Sequence, residues 1–359
     1  MDIETRMQLA LRPPTEEIVT EAELRSLFET KNKPVHYIGL EISGLLHVGS
    51  LLFNGFKIND LLEAGCECQL FLADWHSVIK RKLEGDWAKI SAASKYYEEA
   101  FKFFCPGAKI VRGTDLYHAN DDYWKSVLEF SQHVTLARAT RCMAIMGRSE
   151  NEALSTAQYF YPPMQAVDIK FIGADIAHAG MDQRKVHMLV REVFPKMGWK
   201  PPVCLHHHIL PGLAEPEKQA ASASGAEGKE AEVLASKMSK SKPWTAIFIH
   251  DSPDEIKSKL SKAYCPPQTG ANPVLELAKY VVFRDSKTMT IERPAKFGGN
   301  AEFASYQELE TAYSSGKLHA MDLKNGVAQG IAEVLKPVRE HFEKKKDLLK
   351  VYGDVNVTR

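Results

Sequence analysis

Val35-His36-Tyr37-Ile38-Gly39-Leu40-Glu41-Ile42, running on through Gly44-Leu45-Leu46-His47-Val48-Gly49-Ser50 to Leu62, is the stretch whose reading decides the fold. Val35 to Ile42 reads as a strand. Gly44 to Gly49 reads as a loop that opens a long helix, which continues through Leu62 and is stopped by Gly65. Strand, turn and helix in that order begin a strand–helix–strand unit.

The pattern repeats outward. Gln69 to Ala73 is a second short apolar run, Trp87 to Phe104 has helical spacing, and Lys109 to Arg112 supplies a third strand. Strands alternating with helices of this length imply parallel pairing and right-handed crossovers. The expected fold class is therefore α/β, a doubly wound parallel sheet whose ligands sit at the carboxyl ends of the strands. Further on, Tyr161 to Ile172 reads as a helix, Asp175 to Gly180 as a strand, Asp182 to Met197 as a helix and Val203 to Ile209 as a strand. Pro14 to Lys31 reads as one or two amphipathic helices, and Asp121 to Gln158 as a wholly helical segment projecting from the sheet. Glu215 to Leu234, rich in Ala, Ser, Gly and Glu, reads as a mobile insertion. Beyond Ser252 the pattern turns helical: Pro253 to Ala263, Pro273 to Val281, Tyr306 to Ser314 and Met321 to Tyr352, with one strand at Thr288 to Arg293. Two domains are expected, 1–245 and a mainly α-helical 246–359. The first carries the helical insertion near 121–158 and a mobile loop near 213–241.

Composition narrows the class. Apolar residues make up 44% and charged residues 26% of 359, as in an ordinary globular chain. No apolar run approaches the roughly 20 residues of a membrane span, and Met1 to Arg12 lacks a signal-peptide layout, so a cytoplasmic protein without membrane contact is expected. Lys plus Arg and Asp plus Glu number 46 each, which excludes a global basic field; any RNA contact must use local patches. The six cysteines form no Cys-x-x-Cys pair and read as reduced thiols. His206-His207-His208 invites a metal reading, but neighbouring strand side chains point to opposite faces and cannot chelate together, so no zinc is expected.

Two short motifs carry chemistry. His47 and Gly49 at the mouth of a helix suit a nucleotide: glycine lets phosphate or adenine approach the backbone, and the helix N-terminus favours negative charge. Lys237-Met238-Ser239-Lys240-Ser241 follows the insertion, and two lysines three apart on a mobile loop can close over a triphosphate and stabilise departing pyrophosphate. A turn glycine beside a solvated histidine, and a solvated charge run, are the bland alternatives. The two elements in this order, each at a strand end, favour nucleotide chemistry. Tyr161, Gln165 and Asp168 are spaced four and three apart, so one helix presents them on a single face. Tyr161 and Met164 alone would suit a plain core helix, whereas a buried Asp168 needs a partner. Gly39 and Glu41 after the first strand, and Asp74 and His76 after the second, fall where ligands bind, although each could instead cap a strand end.

The two nucleotide motifs together resemble the paired ATP-binding signatures of class I aminoacyl-tRNA synthetases, with Ser50 where a second histidine is usual. Tyr161-Pro162-Pro163-Met164-Gln165-Ala166-Val167-Asp168 and Gly180-Met181-Asp182-Gln183-Arg184-Lys185-Val186-His187-Met188 resemble pocket motifs of the archaeal and eukaryotic tyrosyl members. The resemblance implies a Rossmann-like catalytic domain, a helical anticodon-binding domain and a homodimer. It implies L-tyrosine, Mg-ATP and tRNA(Tyr) as substrates, with no prosthetic group. It places Tyr37 and Asp168 on the substrate phenol and Tyr161, Gln165 and Gln183 on its α-amino group, in a pocket completed by Gly39, Glu41 and His76. His47, Gly49, Ser50, Lys237, Met238, Ser239, Lys240 and Ser241 would bind ATP, with His47, Gly49, Lys237 and Lys240 catalytic. Arg184 and Lys185 would lie at the acceptor stem, and Arg138 and Arg141 would grip backbone phosphate. Lys296-Phe297-Gly298-Gly299 and the run from Leu318 to Asn325 resemble anticodon-reading elements, with Phe297 to stack a base and His319 and Asp322 to bond its edge. Asp322 as a helix cap and His319 as a surface residue are the alternatives there. Rival readings are a tryptophanyl enzyme, which would want an indole N–H acceptor, a small nucleotidyltransferase and a non-catalytic RNA-binding paralogue.

Overall fold

The computed structural model describes residues 1–142, 155–216, 238, 242–267, 269–285 and 288–353. Its contacts divide the chain into two compact units, Met1–Gly44 with Phe53–His208, and Leu45–Leu52 with Ile209–Arg359.

In the first unit the elements are α1 (Ile3–Leu11), β1 (Thr15–Val19), α2 (Glu21–Thr30), β2 (Val35–Glu41), α3 (Asn54–Glu63), β3 (Glu67–Ala73), α4 (Asp74–Ile79), α5 (Trp87–Phe104), β4 (Lys109–Arg112), α6 (Gly113–His118), α7 (Tyr123–Gln132), α8 (Leu136–Cys142), α9 (Thr156–Tyr159), α10 (Tyr161–Phe171), β5 (Ile176–Gly180), α11 (Arg184–Val193) and β6 (Val203–His207). The sheet runs β1-β6-β5-β2-β3-β4, with parallel pairing everywhere except β1, which lies antiparallel on β6. This is the expected doubly wound α/β sheet, and the order reverses at β2, where such sheets hold ligands.

The N-terminal reading needs correction. Thr15–Val19 is an edge strand rather than part of a helix, and a helix precedes it at Ile3–Leu11. The strand's partner is β6, nearly two hundred residues away. Cations tie this preamble down. Arg6 donates to the carbonyls of Phe28 and Ala64 at 2.8 Å each, at the ends of α2 and α3. Lys57 on α3, fully buried, donates to the carbonyls of Leu9, Ala10 and Arg12 at 2.8–3.0 Å and lies 3.0 Å from Asp60. These are the orphan carbonyls and negative dipole ends that helix C-termini leave behind.

The expected wholly helical segment over Asp121 to Gln158 is broken among its described residues: α7 ends at Gln132, α8 begins at Leu136 and α9 is a single turn. The segment does not simply project, since Tyr123 at the start of α7 is buried against α10. Helix α3 begins at Asn54 after a π-helical turn at Gly49–Phe53, and ends where Gly65 adopts φ +84°, a conformation costly for other residues.

In the second unit, the signature segment pairs with the extended chain after Pro243. Val48 N–H donates to the Ile247 carbonyl at 2.9 Å and Ile249 N–H to that of Leu46 at 3.1 Å, leaving His47 and Phe248 as an antiparallel bridge. That pairing is why Leu45–Leu52 groups with residues after 208. Helices Pro253–Ser261, Pro273–Tyr280, Tyr306–Ser314 and Ala320–Glu343 follow. The last stops at Glu343, with a 3-10 stretch at Lys346–Tyr352, so it is shorter than the expected run to Tyr352. The expected strand at Thr288–Arg293 is Met289–Ile291, and it pairs with Ala301–Phe303, which has no alternation long enough to read. No helix among the described residues is long and apolar enough to cross a membrane.

Candidate active site

Strand alternation puts Tyr37, Gly39 and Glu41 on one face of β2, and helical spacing puts Tyr161, Gln165 and Asp168 on one face of α10. Around them packs a buried apolar cluster that includes Tyr37, Phe71, Tyr117, Tyr123, Tyr161, Met164 and Val167. At its floor lies Asp168, with no exposed surface. The Tyr123 hydroxyl donates to Asp168 Oδ1 at 2.7 Å. Asp168 Oδ2 has no hydrogen-bond partner; His76 Nε2 stands 3.7 Å from it, and both ring nitrogens of buried His76 lack a hydrogen bond. The buried Tyr117 hydroxyl is unpartnered too. Unpaired polar atoms at one buried spot are costly, so their concentration here marks a place built to receive polar atoms from elsewhere.

The electrostatics follow from burial. Asp168 is pushed well above the usual carboxylate range by burial, which the Tyr123 and Tyr117 hydroxyls only partly offset. Burial and the nearby Asp168 push the Tyr37 hydroxyl well up, and burial draws His76 down to about 4. The raised aspartate has a signed consequence. Its stabilising contribution is complete below about pH 4, the usual aspartate value, and is lost as pH rises through the raised folded value. The melting temperature of Asp168→Asn relative to the unsubstituted chain is therefore expected to climb as pH is raised from 4 toward neutrality. Parallel melting curves across that range would contradict the assignment.

At the other end of the pocket the Tyr161 hydroxyl donates to Glu41 Oε1 at 3.1 Å, and its ring meets His76 edge-on at 4.5 Å between centroids. Burial pushes Glu41 up, but Lys80 at 2.7 Å and Lys82 at 3.7 Å outweigh it and hold the carboxylate below its ordinary value. Gln165 Nε2 donates to Gln183 Oε1 at 3.3 Å. All eight residues that the sequence assigned to an amino-acid pocket thus fall in the first unit, linked by contacts or carried on the two elements that wall it. Asp74 takes the bland reading, as a cap: its carboxylate accepts from the Trp75 and Thr114 amides and the Thr114 hydroxyl, joining the ends of β3 and β4. Burial raises it, although those bonds pull the other way. Tyr117 and Tyr123 were missed, because they sit on segments read as connection and projecting insertion.

In the first signature His47, Gly49 and Ser50 form a tight turn. The Ser50 hydroxyl accepts from His47 N–H at 2.8 Å and donates back to the His47 carbonyl at 3.0 Å. Ser50 thereby closes the turn where a second histidine is usual. Met238 is buried, its N–H 3.4 Å from the Leu210 carbonyl. Lys237, Ser239, Lys240 and Ser241 lie outside the described residues, as does most of the insertion expected to be mobile.

The RNA candidates are dispersed. Arg184 makes a forked pair with Glu17, Nε to Oε2 at 2.8 Å and Nη2 to Oε1 at 2.9 Å, and Lys185 follows it on α11. Arg138 pairs with Glu192 at 2.7 Å, and Arg141 lies in the last turn of α8. In the second unit Phe297 ends a 3-10 turn before Gly298 and Gly299, both with positive φ. His319 caps the helix Ala320–Glu343, its Nδ1 accepting from Met321 N–H, and Asp322 lies in the first turn. The histidine run alternates as strand geometry requires: His206 and His208 face Glu17 and Glu16, while His207 meets buried His178.

The chain matches the family model for class I tRNA synthetases (W and Y) over residues 29–233 and 233–336. It is 46% identical to the tyrosine–tRNA ligase of Thermococcus kodakarensis across the whole of both chains. It superposes on the tyrosyl-tRNA synthetase of Pyrococcus horikoshii complexed with L-tyrosine with a TM-score of 0.91 at 43% identity, covering 99% of this chain and 100% of that one. A tryptophanyl-tRNA synthetase from Aeropyrum pernix, at 19% identity and TM-score 0.65, shares the fold. A doubly wound sheet, a tyrosine-walled pocket with an aspartate floor and full-length identity at this level converge on one answer: the chain belongs to the tyrosyl-tRNA synthetases of class I.

Proposed function

We propose that this chain activates L-tyrosine with Mg-ATP to tyrosyl-adenylate and transfers the tyrosyl group to the 3′ end of tRNA(Tyr). The observation that carries the reading is the unpartnered Asp168 Oδ2 on a buried, tyrosine-lined floor. A substrate ring hydroxyl donates to that oxygen, and the Tyr37 hydroxyl donates to the ring oxygen. At the open end, Tyr161, Gln165 and Gln183 hold the α-ammonium, whose charge the ionised Glu41 complements. His76 walls the ring. Gly39 leaves room at the floor, since a Cβ there would stand 2.5 Å from the Tyr37 hydroxyl oxygen. Gly39→Ala is expected to displace Tyr37 and raise the tyrosine KM about tenfold, the size of a typical overpacking cost of ~1–3 kcal/mol. An unchanged KM would remove Gly39 from the site.

The ATP reading rests on the two signatures. His47, Gly49 and the backbone around Ser50 approach the nucleotide, and Lys237 and Lys240, with Met238, Ser239 and Ser241 between and beside them, neutralise the triphosphate. The tyrosine carboxylate attacks the α-phosphorus and pyrophosphate leaves; no side-chain nucleophile is needed, and positioning and charge stabilisation dominate. In the transfer step the terminal ribose hydroxyl attacks the adenylate carbonyl and AMP departs. Arg184, Lys185, Arg138 and Arg141 serve the acceptor arm, and Phe297, His319 and Asp322 the anticodon, within a homodimer working in the cytoplasm. Residues 1–245 form the catalytic domain of this scheme and 246–359 its anticodon-binding domain. Exchange of labelled pyrophosphate into ATP tests the first half: exchange dependent on tyrosine is expected, and exchange supported equally by tryptophan, or by no amino acid, overturns the reading.

A further inference from the structure

Asp168 could turn its carboxyl in several directions, and the substrate hydrogen bond needs one of them. The Tyr123 hydroxyl reaches two oxygens, Asp168 Oδ1 at 2.7 Å and the Met164 carbonyl at 3.3 Å, one turn earlier on the same helix. Its ring is immobilised by stacking on Tyr117, with centroids 4.2 Å apart, and by edge contacts with Trp124 and Phe171, each at 5.3 Å. Tyr123 has no exposed surface. A hydroxyl fixed by that packing and held between two oxygens of α10 leaves Asp168 Oδ1 engaged and Oδ2 turned toward His76 without a bond of its own.

We propose that Tyr123 is a positioning residue for substrate specificity: its hydroxyl pins Asp168 through Oδ1, so that Oδ2 is presented to the ring hydroxyl of the amino-acid substrate. The arrangement suits either state of the carboxyl. Toward an ionised Asp168 the hydroxyl donates to Oδ1. Toward a protonated one it accepts the Oδ1 proton and donates its own hydrogen to the Met164 carbonyl, which keeps Oδ2 an acceptor in both states.

The inference rests on the tyrosine-activating reading, and the test separates the two. Tyrosine-dependent pyrophosphate exchange by the unsubstituted chain must be present first; its absence sinks that reading rather than this one. Given it, Tyr123→Phe is expected to raise the tyrosine KM about tenfold and to lower the tyrosine-over-phenylalanine ratio of kcat/KM by a similar factor, while phenylalanine kinetics stay unchanged. A lower melting temperature for Tyr123→Phe with an unaltered ratio assigns the residue a packing role only and overturns the proposal. Should Tyr123→Phe fold poorly, an Asp168→Asn background decides the matter by comparing tyrosine binding with and without a Tyr123→Leu change. Since the hydroxyl acts through Asp168, the second substitution is expected to add less than twofold to the first, whereas full additivity would contradict the proposal.

Discussion

Asp168→Ala is expected to lower the tyrosine-over-phenylalanine ratio of kcat/KM by about two orders of magnitude, nearly all of it through tyrosine. The carboxyl is fully buried, and its free oxygen accepts nothing from the chain. Without it, the substrate hydroxyl enters the same closed floor and loses its acceptor, a loss of ~1–3 kcal/mol for a buried polar group left unmet. Phenylalanine brings no hydroxyl and forfeits nothing. Steady-state pyrophosphate exchange with each amino acid measures the ratio, and a ratio preserved within twofold would show that selectivity resides elsewhere. The alanine chain should nevertheless fold, because the substitution also removes a group that burial holds far from its preferred charge state.

The second large effect concerns stability alone. Lys57→Ala is expected to cost ~3–5 kcal/mol, since it strips a fully buried ammonium from three main-chain carbonyls and from Asp60. Those carbonyls belong to the last turn of α1 and the residue after it, so the loss uncaps that helix and frees the N-terminal segment from α3. A fall of roughly 10 °C in the melting temperature is the expected reading. Tyrosine selectivity in the folded fraction should stay unchanged, because the carbonyls and carboxylate that hold the Lys57 ammonium belong to Leu9, Ala10, Arg12 and Asp60, none of which the site uses. A melting temperature within two degrees of the parent, by calorimetry, would mean that the carbonyls find other donors.

What could be read from the residues, and what could not, divides along sequence separation. Trp87–Phe104 and Lys109–Arg112 were found with the bounds that the structure gives them, because period and flanking breaks are local properties. The pocket helix was legible for the same reason: Tyr161, Gln165 and Asp168 share a face through spacing alone. Thr15–Val19 was not. Its acidic sequence has no strong strand signal, and its extended form depends on pairing with Cys204 to His207. Glu17 is there to bind Arg184 and His206, a reason invisible until the edge strand is placed. Tyr123 escaped likewise. The sequence argued that a buried Asp168 needs a partner and assigned only the ligand; the structure supplies a second partner from 45 residues upstream. Ser50, out of pattern as a signature residue, became intelligible once its hydroxyl was seen to close the His47 turn.

Titration of L-tyrosine and, separately, L-phenylalanine into the chain by calorimetry, without ATP, tests the floor of the pocket most directly. Saturable heat with tyrosine, and at least a hundredfold weaker binding of phenylalanine, is the predicted result, on the order of the ~3 kcal/mol that an unmet buried acceptor can impose. Equal affinities, or no heat with tyrosine, would contradict the account.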